Sequence, residues 1–354
     1  VCDIQYGFPF NSALFNDSEG IPLIRIRDVK RGYSETFTTE EYNHDYVVNE
    51  GDILIGMDGE FNIAKWGKVS AVLNQRVCRI FPHDDVDADY IFYSLPQELK
   101  RIEARTSFAT VKHLSAKEIN KITIPVPTLE EQRIIAKKIT IMSELIGKRK
   151  QQLEQLDLLI RARFVELFGD PVSNPYGYDK VRLSELADIK IGPFGSLLHK
   201  EDYIENGHPL LNPSHIIDGK VVPDRKLSIS DEKYEELSAY RLQAGDVVMG
   251  RRGEMGRCAV VEDEGFLCGT GSMVIRTKGE VTADFLQKII SFPAFKKTIE
   301  DMAVGQTMPN LNVPIVSSFQ IIKPPIEVQN RYYEFVAQVN KSKFEGRMIT
   351  IGHR

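Results

Sequence analysis

The sequence has few of the features that mark secreted, metal-binding or membrane proteins. Its 354 residues include four cysteines, Cys2, Cys78, Cys258 and Cys268, and none of them belongs to a CxxC pair or to a zinc-ligand spacing. We therefore expect reduced thiols and no structural metal in a cytoplasmic protein. No apolar run approaches the roughly 20 residues that a membrane-spanning helix needs, so we expect no membrane association.

An excess of positive charge is also missing. The chain has 45 Lys and Arg against 50 Asp and Glu, which gives a net charge of −5. Nucleic-acid-binding domains usually carry a basic patch. A nucleic-acid function therefore requires cations that are concentrated locally, or partner subunits that neutralise much of the phosphate charge. The length is sufficient for two domains.

What the sequence does contain is an internal duplication. Residues 51–56, Gly-Asp-Ile-Leu-Ile-Gly, recur as residues 245–250, Gly-Asp-Val-Val-Met-Gly, and a Gly-Glu pair follows each of them. Three further matches keep the same order along the chain: residues 3–7 with 188–192, residues 122–127 with 319–325, and residues 130–133 with 327–331. Chance rarely keeps four matches collinear, so we infer a tandem duplication with a few insertions in the second copy.

Each copy has the same predicted layout. Short β-rich runs come first and are separated by Gly, Asn and Asp turns, as at residues 51–55, 69–73 and 77–81. A helical stretch follows, over residues 90–105 in the first copy and 283–302 in the second. Each copy then ends in a strand and a pair of prolines. The expected fold class is α+β, with two tandem α/β domains.

A long amphipathic helix is predicted after the first copy. Thr128 and Glu131 form a capping box at its start, and Gly169 with Pro171 ends it. Its 40 or so residues make a rod of roughly 60 Å. Apolar residues recur in steps of three and four, the pattern of a coiled-coil seam, at Ile135, Ile139, Met142, Ile146, Leu153, Leu156, Ile160 and Leu167.

A second helix is predicted to begin near Ile326, with Tyr332, Val336 and Val339 on its seam. We expect it to pair antiparallel with residues 129–168, so that the two globular copies lie at opposite ends of a coiled coil. The alternative is that each helix packs only on its own domain. The seam pattern stops after Phe344, which predicts a truncated second helix.

Together these features resemble the specificity subunits of type I restriction–modification systems. The resemblance covers essentially the whole chain. Beside the duplicated Gly-Asp-hydrophobic motif, it is carried by Ile-Pro-Val-Pro-Thr-Leu-Glu-Glu-Gln-Arg at 124–133 and Arg-Phe-Val-Glu-Leu-Phe-Gly-Asp-Pro at 163–171. It implies two target recognition domains that each read half of a split DNA sequence, and two spacer helices. The corresponding segments are 1–127 and 170–325 for the domains, and 128–169 and 326–354 for the helices.

The resemblance also implies the partners. Double-stranded DNA is the ligand, two modification subunits dock on the helices, and restriction subunits join through the modification subunits. S-adenosylmethionine and ATP belong to those partners, so we expect no cofactor and no catalytic residue in this chain. One departure from the family is that the first copy lacks residues corresponding to 181–186.

Two loops in each copy are candidates for DNA contact. The first surrounds the Gly-Glu turns, where the glycines persist while neighbouring side chains change chemistry, as expected of domains that read different sequences. The second, at residues 110–115 and 307–312, precedes a predicted helix start. The candidates are Asn62, Lys65, Lys68, Lys112 and His113 in the first copy, and Arg251, Arg252, Arg257, Gln306, Thr307 and Asn310 in the second. The competing interpretation is a solvated hairpin with scattered charge, and Ser115 and Asn312 are expected to cap helices.

Two other functions compete with DNA reading: a coiled-coil scaffold whose two heads bind proteins, and a self-sufficient methyltransferase. The glycine-rich residues 250–256 lack the Lys-Ser ending of a phosphate-binding loop, and a strand-like segment follows them. Residues 174–178, Asn-Pro-Tyr-Gly-Tyr, have one proline too few for the Asn-Pro-Pro-Tyr loop of adenine methyltransferases. We therefore favour a chain that reads DNA and catalyses nothing.

Overall fold

The computed structural model describes residues 1–105, 112–303 and 310–351, the last eight of these as backbone only. The chain divides into two compact units, Val1–Lys148 and Arg149–Arg354. The boundary between the units lies inside the 40-residue helix, so each unit combines a globular lobe with a segment of that helix.

The first unit contains one copy of the duplicated lobe. Its strands are β1 Cys2–Tyr6, β2 Phe15–Asn16, β3 Ile21–Ile24, β4 Phe37–Thr38, β5 Val47–Val48, β6 Ile53–Gly56, β7 Ile63–Lys65, β8 Ala71–Leu73 and β9 Val77–Pro82. Its helices are α1 Ile26–Val29, α2 Ala88–Arg105, α3 Ala116–Ile119 and α4 Leu129–Phe168, the last of which continues into the second unit. One sheet has the order β1-β9-β6-β7, and the other has the order β2-β4-β3-β8-β5.

The second unit contains the other copy. Its strands are β10 Lys180–Arg182, β11 Ala187–Ile191, β12 His208–Leu211, β13 Ile216–Ile217, β14 Lys220–Val221, β15 Ser228–Ile229, β16 Val247–Gly250, β17 Cys258–Val260, β18 Leu267–Cys268, β19 Ser272–Thr277 and β20 Gln320–Ile322. Its helices are α5 Leu183–Leu186, α6 Asp231–Glu236, α7 Ala283–Ile290, α8 Pro293–Met302, α9 Val313–Ser317 and α10 Ile326–Ile351.

The sheets confirm the duplication. The order β11-β19-β16-β17 in the second unit repeats β1-β9-β6-β7 in the first, with antiparallel pairing throughout. Gly7 and Gly192, which end the first repeated motif, occupy equivalent places. A Cβ on Gly7 would lie 2.0 Å from the carbonyl oxygen of Asn74, and one on Gly192 would lie 2.1 Å from that of Gly269. Only glycine allows the chain to pass so close to the neighbouring strand.

The repeated Gly-Asp pair forms the turn that leads into the central strand of each sheet. Gly51 and Gly245 both have a φ of 89°, a left-handed conformation that favours glycine. The carboxylate of Asp52 accepts a hydrogen bond from the backbone N–H of Asn49 at 2.9 Å. In the second copy the carboxylate of Asp246 accepts one from the N–H of Gln243 at 2.7 Å. All four residues of β6 and of β16 are then buried, which fixes the strands that carry the Gly-Glu turns.

The two copies differ in ways that the sequence did not predict. The stretch 283–302 forms two helices rather than one, because the chain turns at Phe292 and Pro293 starts the second helix. The first copy has no strand at residues 122–124, whereas the equivalent β20 pairs with β10. A groove of about 220 Å³ in the first unit is lined by Ile4, Ile119 and Ile122.

Within the second unit, α10 packs antiparallel against the end of α4. Tyr332 is 1% exposed and lies against the rings of Phe164 and Phe168, with centroid distances of 5.5 and 5.6 Å. Further along, Lys343 forms an ion pair with Asp157. The helix reaches Ile351, seven residues past Phe344, where its predicted seam pattern stops.

The predicted seam of α4 is only partly covered. The seam residues in the second unit are half-buried, and so is Ile139 in the first unit. Those in the second unit are Leu153, Leu156, Ile160 and Leu167. The other seam residues are exposed to solvent, with exposed fractions of 38% for Ile135, 52% for Met142 and 43% for Ile146. The strongest anchors are Phe164 and Phe168, which sequence reasoning missed although they continue the spacing of four from Ile160.

A buried glutamine fixes the start of each long helix on its lobe. Gln132 accepts the backbone N–H of Asp87 at 2.9 Å and donates to the carbonyl of Pro127 at 2.9 Å. In the second unit Gln329 makes the equivalent bonds to Thr282 and Pro324. These glutamines explain why the Glu-x-Gln pattern recurs after each proline pair. The capping box of Thr128 with Glu131 is confirmed.

Candidate nucleic-acid interface

The two candidate loops of each copy meet. In the first unit Asp58 and His113 form an isolated β-bridge, and in the second unit Arg252 and Asn310 form the equivalent one. The N–H of Leu114 donates to the carbonyl of Met57 at 2.6 Å. We call these places the first junction, comprising residues 57–60, 76 and 112–114, and the second junction, comprising residues 251–254, 271 and 310–311.

A third segment completes each junction. The N–H of Met57 donates to the carbonyl of Arg76 at 2.8 Å, and that of Arg251 donates to the carbonyl of Gly271 at 2.9 Å. Arg76 and Gly271 lie in the turns before β9 and β19. The backbone of the two junctions is therefore alike, whereas the side chains differ in charge. Segments far apart in sequence form one surface patch in each lobe.

Two arginines dominate the second junction. Arg251 is half-buried and its Nε donates to the carbonyl of Leu311 at 3.2 Å, so this side chain braces one loop against the other. Burial, followed by the nearby Arg252, lowers the pKa of Arg251. Arg252 is exposed, and its side chain makes no hydrogen bond or ion pair with any residue that the structure describes. Arg252 is thus the cation of this junction that is available to a ligand.

Arg257 lies beside the junction in a small ionic cluster. It donates to Glu254 at 2.8 Å, and Lys296 donates to the other oxygen of the same carboxylate at 2.7 Å. The hydrogen bonds from Lys296 and Arg257 lower the pKa of Glu254 to about 2. Arg257 also donates to the carbonyl of Pro213 at 3.3 Å. The cluster ties the Gly-Glu turn to α8, so Arg257 supports the loop as well as adding charge to it.

The first junction carries a different set of side chains. His113 Nδ1 lies 2.5 Å from Asp58 Oδ1, and Arg76 Nε lies 3.5 Å from Asp58 Oδ2. Sequence reasoning proposed His113 but missed Asp58 and Arg76. Aligning the two copies could have indicated Arg76, because an arginine in the first copy replaces Gly271 of the second.

The other sequence-predicted residues of the first copy lie in varied places. Asn62 is half-buried and donates to the carbonyl of Glu60 at 3.2 Å, while its Oδ1 is buried without a hydrogen-bond partner among the described residues. Lys65 lies on β7, forms an ion pair with Asp89 and sits over the ring of Phe92. Lys68 is exposed in the turn after β7, and Lys112 forms an ion pair with Glu103 at 2.9 Å.

Of the second-copy residues, Asn310 is half-buried and its Oδ1 has no partner in the described part of the chain. Gln306 and Thr307 lie outside the described residues. Ser115 and Asn312 cap α3 and α9, as expected, through hydrogen bonds to the N–H groups of Glu118 and Ile315. These two residues are therefore used by the fold.

The described residues show no cluster of three or more His, Cys, Asp or Glu side chains that could hold a metal ion. Three of the cysteine thiols, those of Cys78, Cys258 and Cys268, have pKa values raised to about 12 by burial. The Asn-Pro-Tyr-Gly-Tyr segment is a turn in which Asn174 and Tyr178 bond to each other. No helix in residues 1–105, 112–303 and 310–351 is both long and apolar enough to cross a membrane.

Comparison with protein families decides what these lobes are. The family model described as "Type I restriction modification DNA specificity domain" matches residues 1–155 and again residues 175–348. The chain belongs to this specificity family. Each match contains most or all of one copy of the repeat and part of the long helix after it, and together they cover most of the chain.

Curated members of the specificity family resemble the chain over most of its length. The type I restriction enzyme EcoBI specificity subunit of Escherichia coli is 27% identical over 96% of this chain and 77% of its own length. The MjaVIII specificity subunit of Methanocaldococcus jannaschii is 24% identical over 90% and 82%.

Solved structures from type I restriction–modification systems share the fold. The type I restriction–modification S subunit from M. genitalium has a TM-score of 0.60 at 15% identity and covers 98% of this chain and 88% of its own. A chain from a study of type I system assembly has a TM-score of 0.59 at 18% identity, covering 98% and 93%. The predicted α+β architecture with two tandem recognition domains is confirmed.

Proposed function

We propose that the chain is the specificity subunit that reads a bipartite DNA target, with each lobe reading one half. The observation that supports this most directly is the pair of junctions. Their backbones bond in the same way, yet one presents Asp58, Arg76 and His113 and the other presents Arg251, Arg252 and Asn310. Two readers of unlike half-sites need a constant scaffold with variable side chains.

The side chains at the junctions have the chemistry that base edges require. Arginine donates in a fork to O6 and N7 of guanine, asparagine pairs with N6 and N7 of adenine, and a carboxylate accepts from N4 of cytosine. Arg252 and Arg76 supply exposed guanidiniums of the first type, one at each junction. The net charge of −5 means that phosphate neutralisation comes largely from partner subunits, so affinity rises on assembly.

The partners in this proposal are two modification subunits, with restriction subunits attached through them. Large apolar side chains on α4 are exposed, and they offer a docking surface of the hydrophobic kind that stable complexes bury. They are Ile134, Ile141, Leu145, Leu158 and Leu159, each between 44 and 61% exposed. S-adenosylmethionine and ATP chemistry resides in those partners, and this chain contributes no catalytic group.

Helix α4 acts as the ruler between the two half-sites in this proposal. A continuous 40-residue helix spans roughly 60 Å, while DNA advances about 3.4 Å per base pair. Two lobes held by such a rod read half-sites about one helical turn or more apart. The unread gap is then set by helix length rather than by any base contact.

The test is to map methylated adenines across the genome of cells that carry this chain with its modification subunit. We expect one split motif with a fixed gap, which disappears when the chain is deleted. A scaffold with two protein-binding heads predicts methylation that does not depend on the chain's sequence. Calorimetry of the isolated chain with S-adenosylmethionine separates the methyltransferase alternative, because we expect no heat of binding.

A further inference from the structure

Arg76 adopts a backbone conformation that arginine rarely takes. Its φ is 74°, in the left-handed region, and it lies at the tip of the turn between β8 and β9. Non-glycine residues in this region are uncommon and concentrate at functional sites. The aligned residue of the second copy is Gly271, so the turn itself does not require a long side chain.

The side chain of Arg76 lies in the centre of the first junction. It is 52% exposed, its Nε faces Asp58 Oδ2 at 3.5 Å, and its Nη1 lies 3.3 Å from His113 Nδ1. Asp58 is the more buried partner, with 23% of its side chain exposed. Because a carboxylate only accepts, Asp58 holds both neighbouring donors in place and restricts the directions that the guanidinium can take.

The donors of Arg76 are not exhausted by these contacts. A guanidinium has five N–H groups, and two of its nitrogens face Asp58 and His113. Because His113 Nδ1 donates to Asp58, it cannot also accept from Nη1, so the Nη1 and Nη2 hydrogens at the end of the fork have no acceptor among the described residues. Two adjacent donors match the O6 and N7 acceptors of guanine in the major groove.

Each junction thus contains an exposed arginine, but the two arginines come from different segments of the repeat. In the second copy Arg252 comes from the loop after β16, whereas in the first copy that position is Asp58 and the arginine comes from the turn before β9. We propose that Arg76 is the guanine-contacting residue of the first lobe and that Asp58 is its positioning residue. This inference rests on the proposed function and names the residues that carry it in the first half-site.

The decisive variant is Arg76→Gly. Glycine favours a φ of 74° and is what the second copy has at this position, so the turn keeps its backbone while the guanidinium is removed. In the assembled enzyme we expect discrimination at a guanine of one half-site to fall by about 5- to 150-fold, the range of one bidentate base contact. Arg76→Lys keeps the charge but loses the fork, and we expect the same loss of discrimination.

Positioning by Asp58 is tested by Asp58→Asn and Asp58→Glu. The amide is expected to weaken discrimination at the same base as Arg76→Gly, and the glutamate, which keeps the carboxylate, is expected to restore part of it. Arg31→Ala removes an exposed arginine outside the junction and should leave the motif unchanged. Thermal unfolding of every variant shows whether the fold is kept.

Two results would overturn the inference. One is a folded Arg76→Gly enzyme that methylates an unchanged motif. The other is a uniform loss of affinity on all sequences with a smaller salt dependence, which marks a phosphate contact instead. A wild-type enzyme that shows no split motif would instead contradict the proposed function, so the two failures are distinguishable.

Discussion

The guanidinium of Arg276 spans the carboxylate of Asp246 with two hydrogen bonds of 2.7 Å each. The aspartate is the second residue of the repeated Gly-Asp pair, and its side chain is only 2% exposed. In the first unit the equivalent Asp52 bonds to Arg79 on β9. Arg79 aligns with Val274 of β19, two residues before Arg276. Each copy has therefore paired the same aspartate with a different arginine.

Asp246→Asn is expected to destabilise the second lobe by about 1–3 kcal/mol, the range for losing hydrogen bonds to a charged group. Urea unfolding measures this loss. The matched control is Asp188→Asn, since Asp188 is 78% exposed and pairs with Lys278 at the surface. A surface pair contributes roughly 0–1 kcal/mol. Equal effects of the two substitutions would contradict the role assigned to the buried carboxylate.

Arg252→Ala is expected to relax the reading of one half-site by about 1–3 kcal/mol while the other half-site stays unchanged. The reason is that Arg252 is exposed at the second junction and has no partner in the described residues to hold it elsewhere. Methylation assays on targets with single base changes measure this effect. Arg225→Ala, an exposed arginine in another turn, serves as the control, and an identical motif in both variants would remove Arg252 from the contact surface.

Tyr332→Ala is expected to cost about 3–5 kcal/mol of unfolding free energy, as for other large aromatic side chains in a core. Tyr332 is 1% exposed and packs on Phe164 and Phe168, so its removal leaves a cavity between α4 and α10. Tyr332→Phe should change stability by less than about 1 kcal/mol, because only a 3.4 Å bond to Ile160 is lost. A small effect of the alanine variant would mean that the helices separate in solution.

Glu254 should titrate far below a normal glutamate. Its pKa is about 2 against an unperturbed value of 4.5, because Lys296 and Arg257 donate to the ionised form. The folded pKa is the lower one, so the stabilisation is complete above about pH 4.5 and is lost as the pH falls towards 2. Carboxyl NMR should show no titration of Glu254 between pH 5 and 3.5. Lys296→Met should move the step upwards, and a wild-type midpoint near 4.5 would disprove the cluster.

Deleting residues 141–154 removes two heptads and about 21 Å of helix. We expect the unread gap of the DNA target to shorten by about six base pairs, measured by mapping methylated adenines. The deletion keeps Gln132 and Phe164, which anchor the helix in each unit. A variant with the same segment replaced by other helix-forming residues of equal length is the control. Continued activity of the deletion variant on the original target would contradict the ruler.

The sequence predicted the features that depend on local pattern. Glycine and aspartate at the repeated turns, the capping box at Thr128 and the end of α4 at Gly169 are all determined by neighbours in the chain, and the structure confirms them. The duplication itself was visible because both copies keep the same turn residues. These patterns were sufficient to predict two lobes joined by a helix.

The junctions could not be predicted in full because they join distant segments. Arg76 reaches Asp58 and His113 only after β8, β9 and the loop before α3 have come together. Asn62, in contrast, lies in a loop that the sequence predicted correctly, but its side-chain oxygen is buried. Sequence position shows that a residue lies in a loop, but the direction of its side chain depends on what packs around it.

The buried glutamines at the start of the two long helices make each lobe and its first helical turns a single exchangeable module. A genetic crossover at the proline pair would join Gln132 to a foreign lobe, in which the amide of Asp87 is replaced by another partner. A crossover several turns into the helix would keep the anchor and its lobe together. Because both glutamines bond backbone groups, Gln132 to the N–H of Asp87 and Gln329 to that of Thr282, the attachment does not depend on the side chains of the lobe at that point.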